Sequence, residues 1–101
     1  MLSDEEIQSL LETHSGLTLL YFMHDNCAPC KVFKPIVNKV IDSYNGRITL
    51  AVVDVTQSVI ARNYSVRSVP TVMLFKDGVL VETHSGTMSE VEFSTMLKVN
   101  L

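Results

Sequence analysis

The chain has 101 residues, 47% of them apolar or aromatic and 19% charged, with a formal net charge of −3. This length suits one domain over residues 1–101, and the composition argues for a packed core and against disorder. The lysines near the cysteines form a local patch on an acidic chain, which excludes a phosphate-binding basic face and hence a nucleic-acid partner.

The first segment, Met-Leu-Ser-Asp-Glu-Glu, is acidic where a secretory signal is basic, and no uninterrupted apolar stretch follows it. Ser3 and Glu6 have capping-box spacing, and Ile7, Leu10 and Leu11 share a helical face, so a short helix is predicted to about His14. Ser15-Gly16 ends it. Leu17 to Met23 is an apolar run of strand length with little polar alternation, as in a central strand covered on both faces. It is also the longest apolar run, too short to cross a bilayer, so no membrane association is expected.

A second helix is predicted from near Ala28, with Val32, Phe33, Ile36, Val37, Val40, Ile41 and Tyr44 inward and Lys31, Lys34, Asn38 and Asp42 on the wet side. Asn45-Gly46 stops it, and Ile48 to Val55 reads as a second buried strand. Strand, helix, strand makes a βαβ unit with parallel pairing. A short helix around Ser58 to Tyr64 follows, then a strand from Thr71 to Phe75 after Pro70. Asp77-Gly78 is a hairpin turn signal leading into Val79 to Thr83. Beyond Gly86, Ser89 and Glu92 cap a closing helix carrying Val91, Met96, Leu97 and Val99.

The only two cysteines, Cys27 and Cys30, are separated by two residues. Without an export signal they point to a reducing, cytoplasmic compartment, where a permanent structural disulfide is uncommon. Cys27 falls at the start of the second helix, where unpaired N–H groups, the helix dipole and Lys31 favour a thiolate; it is predicted to be the exposed, attacking sulfur. Cys30, one turn in and more shielded, suits a resolving thiol. Pro29 is tolerated in a first helical turn and stiffens the loop. Two small apolar residues close by chance are the plain alternative. A structural zinc site needs four ligands, and His14, His24 and His84 show no paired ligand spacing. A c-type haem needs His after the second cysteine, where Lys31 stands. No metal and no bound cofactor are predicted.

Cys27-Ala28-Pro29-Cys30-Lys31 with Pro35, then Ser68-Val69-Pro70-Thr71, Phe75-Lys76-Asp77-Gly78 and Gly86, together resemble the thioredoxin family over nearly the whole chain. The resemblance implies an α/β thioredoxin fold: three α/β/α layers, with a central mixed sheet flanked by four helices. It implies a cis bond before Pro70, against the trans default of most X–Pro bonds. It also implies that Ala28, Pro29, Val69, Pro70 and Gly86 border the substrate, although a simple turn also accounts for Gly86. Pro35 is expected to kink the second helix.

Three departures stand out. There is no Trp, and Asn26 precedes the first cysteine where the family pattern has one, so the docking surface has fewer aromatic anchors. Six residues before Cys27, where many thioredoxins bury an Asp that helps deprotonate the second thiol, stands Tyr21, a poor base near neutral pH; the family's partner lysine is Val52. Water, His24 or Asp25 is left to take the proton from Cys30. The short N-terminus suggests four strands in place of five. The resulting expectation is a monomeric thiol–disulfide oxidoreductase that reduces protein disulfides through Cys27 and Cys30, recharged by a thioredoxin reductase. A thioredoxin-like adaptor with idle or regulatory cysteines is the rival reading.

Overall fold

The computed structural model describes residues 2–101. In chain order the elements are α1 (Asp4–Thr13), β1 (Leu17–Met23), α2 (Ala28–Asp42), β2 (Ile48–Asp54), α3 (Ile60–Asn63), β3 (Thr71–Lys76), β4 (Val79–Ser85) and α4 (Glu90–Lys98). The strands form one sheet in the order β2-β1-β3-β4. β1 runs parallel to β2 and antiparallel to β3, and β3 runs antiparallel to β4. This is the mixed four-stranded sheet with four helices that the sequence implies.

Alternation along the strands assigns the two faces, because successive side chains point to opposite sides of a sheet. Leu17, Leu19 and Tyr21 of β1 join Val72 and Leu74 of β3 in a core with Phe33, Val37, Val40 and Ile41 of α2 and Phe93 and Leu97 of α4. The intervening Leu20 and Phe22 join Met73 and Phe75 in the opposite core, with Ile7 and Leu11 of α1 and Ile60 and Ala61 of α3. Two helices therefore cover each face. β1 is buried from Leu17 to Phe22, which explains its lack of polar alternation.

Several expectations need correction. β2 is an edge strand, and Thr49, Leu50 and Val52 are half-buried. β4 is the other edge, so Val79, Leu80 and Val81 are exposed despite their apolar character. Val32 is 67% exposed, because the inward stripe of α2 runs through Phe33, Val37, Val40 and Ile41. On α4 the inward residue the pattern missed is Phe93, fully buried, while Val91 and Val99 face solvent. α3 is a single turn.

The capping boxes form at both predicted places. Ser3 and Glu6 exchange side-chain-to-backbone hydrogen bonds at the head of α1, and Ser89 and Glu92 do the same at α4. These bonds to backbone N–H and serine hydroxyl hold the Glu6 and Glu92 carboxyls below their ordinary pKa.

The β3–β4 turn is tied to the first half of the chain. The Asp77 N–H donates to the Gly16 carbonyl at 2.9 Å, and the Gly16 N–H donates to Asp77 Oδ1 at 2.6 Å. Asp77 and Gly78 both have positive φ, 51° and 82°, the requirement of a tight two-residue hairpin turn. A Cβ on Gly78 would lie 2.6 Å from the Leu11 carbonyl oxygen. Gly78→Ala therefore combines a left-handed backbone with a clash against helix backbone. It is expected to cost more than about 2 kcal/mol, read as a fall in the urea midpoint at unchanged slope; a midpoint equal to wild type would contradict the close approach.

Candidate active site

The parallel β1–α2–β2 unit brings the chain out at the carboxyl end of β1 and into α2 through residues 24–27. Cys27 has extended backbone and is the N-cap of α2, with Ala28 and Pro29 opening the helix. Pro29 has no N–H to leave unsatisfied, which suits it to the first turn. The first-turn N–H of Cys30 donates to Cys27 Sγ at 3.1 Å. Cys27 thus caps the helix with its own sulfur, where other helices use Ser or Asp. The two cysteines are disulfide-bonded, with Cα atoms 5.2 Å apart.

An exposed Cys27 was expected, and the structure differs: Cys27 is 5% and Cys30 3% exposed. Turning inward to accept the Cys30 N–H and to bond Cys30 accounts for the cover on Cys27. Neither sulfur belongs to a hydrophobic core cluster, and their neighbours Asn26, Ala28 and Pro29 are exposed, so the pair lies at the rim of the fold.

Strand register brings the remaining predicted residues to the same end of the sheet. Phe22 lies opposite Thr71, which puts Pro70 level with Met23, just before the cysteine loop. Thr71 lies opposite Ser85, and the Gly86 N–H donates to the Pro70 carbonyl at 2.8 Å. The Val69–Pro70 bond is cis, as the resemblance implies. Val69 is half-buried and Pro70 buried. Gly86 has φ +93° and open space where a Cβ would stand, so backbone conformation, not crowding, calls for glycine there. The buried Thr71 hydroxyl donates to the Ser68 carbonyl at 2.7 Å and fixes the loop before Pro70; the motif marks the residue but not this bond.

Tyr21 ends the row of inward residues on β1 and is 1% exposed. Its hydroxyl donates to the Cys30 carbonyl at 2.8 Å, and burial pushes its pKa up to about 12. A phenol so placed stays protonated across the working range and is no base for a thiol. Lys34, assigned to the wet side of α2 by pattern, is half-buried instead, with its ammonium 5.8 Å from the centroid of the Tyr21 ring. The available signal was its spacing: Lys34 is four residues past Cys30 and so on the same helical face.

At the end of β2, Asp54 lies opposite Met23 and is 7% exposed. Thr56 donates to it from hydroxyl and backbone N–H at 2.7 and 2.9 Å, and these bonds, with the nearby His24, lower its pKa. His24 in turn accepts the Asn26 N–H through Nδ1 at 3.1 Å. Among the described residues no group of three or more His, Cys, Asp or Glu side chains could hold a metal ion. No helix among them is long and apolar enough to cross a membrane.

A cysteine pair that caps its own helix at the end of a mixed sheet, covered by helices on both faces, defines a class of protein: the thiol–disulfide oxidoreductases. Comparison with known proteins makes this specific. The family model for thioredoxin matches residues 1–99, and the chain belongs to the thioredoxin family. It is 30% identical to a thioredoxin of Pseudomonas aeruginosa over 87 residues, covering 85% of this chain and 81% of that one. Identity to a thioredoxin of Acidithiobacillus ferridurans is 29% over 100 residues, 98% of this chain and 93% of the relative. An NADPH-dependent thioredoxin reductase of Arabidopsis thaliana matches at 27% over 95 residues, 93% of this chain but 18% of that protein. The protein is a thiol–disulfide oxidoreductase acting on protein disulfides, with its cysteine pair at the family spacing.

Proposed function

We propose that the protein works as a single-domain, monomeric reductant of protein disulfides in the cytoplasm, with Cys27 as the attacking thiol and Cys30 as the resolving one. The observation that carries this reading is the Cys30 N–H directed at Cys27 Sγ at the head of α2. The helix dipole and a first-turn donor stabilise negative charge on that sulfur more than on its neighbour, and charge-assisted bonds are the stronger kind.

The Cys27 thiolate attacks one sulfur of a substrate disulfide, forming a Cys27–substrate disulfide and expelling the other substrate sulfur as thiolate. Cys30 then loses its proton, attacks Cys27 Sγ, and closes the Cys27–Cys30 disulfide. The second substrate thiolate leaves, and both substrate thiolates are protonated by solvent. Two electrons pass from the pair to the substrate. A separate thioredoxin reductase, or a small dithiol, returns them. Ala28, Pro29, Val69, Pro70 and Gly86 line up along one end of the sheet, consistent with an extended substrate segment laid across the pair. With Asn26 in the loop and no aromatic side chain among those five, backbone contacts carry more of the docking than anchors do.

The test is reduction of insulin by dithiothreitol. Micromolar wild-type protein is expected to bring forward the onset of insulin precipitation well ahead of dithiothreitol alone. An onset unchanged by the protein would overturn the reading and favour an adaptor that uses the fold for contact only.

A further inference from the structure

With Tyr21 fixed as a hydrogen-bond donor, the proton on Cys30 has no buried carboxylate to go to. A cavity of about 160 Å³ adjoins Cys30, between Tyr21 of β1 and Lys34 of α2. Its other titratable neighbours are His24 and Asp25 from the loop and Lys31 from α2. Behind His24 stands Asp54 of β2, already engaged by Thr56. His24 has its Nδ1 lone pair committed to the Asn26 N–H. It can take a proton there only by giving up that bond. The cavity beside Cys30 is thus lined by two lysines against the single aspartate Asp25. A cavity of this size, whose mostly apolar wall carries the polar groups of His24, Asp25, Lys31 and Lys34, admits water, which can carry the proton out.

We propose that Tyr21 is a positioning residue that replaces the buried acid by a different device: its hydroxyl holds the Cys30 backbone, its ring face carries the Lys34 ammonium, and that cation favours the Cys30 thiolate. The family's acid accepts the proton. Here a fixed positive charge lowers the demand for an acceptor, and the proton leaves through water in the cavity. Lys31, on the exposed side of the helix, contributes less because solvent screens it. This proposal rests on the role of Cys30 as the resolving thiol.

The experiment titrates Cys30 alone. In a Cys27→Ser background Cys30 is the sole thiol of the chain, and thiolate absorbance at 240 nm against pH reports its ionisation without any catalytic turnover. Adding Lys34→Gln is expected to raise the midpoint by about half to one pH unit, and Lys34→Arg to leave it near the Cys27→Ser value. Tyr21→Leu, which removes hydroxyl and ring together, is expected to raise it as well. Asp25→Asn is expected to lower it. Near-ultraviolet circular dichroism checks that each variant is folded; the Lys34 pair, on a half-buried surface side chain, keeps the test intact if Tyr21→Leu unfolds. A Lys34→Gln midpoint equal to or below that of the Cys27→Ser parent overturns the proposal. Insulin left unreduced by the wild type, together with a raised Lys34→Gln midpoint, overturns the functional reading and upholds the placement of the charge.

Discussion

Cys27→Ser is expected to reduce insulin turnover to the rate of dithiothreitol alone, while Cys30→Ser accumulates a covalent adduct with the substrate. The asymmetry follows from the head of α2. Only Cys27 sits at the N-cap with a first-turn N–H aimed at its sulfur. A serine hydroxyl there keeps the cap but is not ionised at neutral pH and is a far weaker nucleophile. The loss of the first attack is therefore about a thousandfold or more. Removing Cys30 leaves that attack intact and takes away only the sulfur that releases the product. Non-reducing electrophoresis and mass spectrometry of Cys30→Ser after incubation with a disulfide substrate should show the mixed disulfide on Cys27. Adducts forming with Cys27→Ser and not with Cys30→Ser would reverse the order of attack.

The largest expected loss of stability is at Phe33. It is fully buried on α2, one turn after Cys30, with its ring 6.0 Å from Tyr21 and 5.7 Å from Phe93. Phe33→Ala removes the middle ring of three that join β1, α2 and α4. The loss of burial plus the cavity left behind should cost about 3–5 kcal/mol. For a domain of this size that is a large part of total stability, so the thermal midpoint should fall by tens of degrees or the variant should not fold. Val32→Ala, next to it on the exposed side, is the control and should stay within about 0.5 kcal/mol of wild type. Equal melting of Phe33→Ala and wild type would contradict the packing.

Elements whose signal is local were legible in the sequence. The two Ser-x-x-Glu caps, the Asp77-Gly78 turn and the unbroken apolar run of β1 each specify their structure over a few residues, and each is present. Burial on the edges was not legible, since Leu50, Val52 and Val79 to Val81 look like core until the strand order puts β2 and β4 at the two margins. Helix facing failed where apolar residues stand beside the true stripe: Val32 next to Phe33, Val91 two before Phe93. The cysteine pair and the placement of Pro70 and Gly86 at the same end of the sheet were legible because a motif marks them. The inward turn of Cys27, the seat of Lys34 above Tyr21 and the fastening of Ser68 by Thr71 were not. Those depend on which side chains meet across β1, α2 and the loops, and spacing alone does not carry that.

α1 lies on the sheet face that carries Leu20 and Phe22 and is held at each end by groups that come much later in the chain. Asp4 accepts from the Ser58 hydroxyl and from the Val59 N–H at 3.1 Å, while the far end meets the turn at residues 77 and 78 through Gly16 and Leu11. The Ile7 and Leu11 side chains meet Leu20 and Phe22 of the strand that follows at once, whereas the ties at the two helix ends need residues 58, 59 and 77. The hairpin tip works as a latch on this helix, so a change that loosens the tip should loosen the first segment of the chain as well.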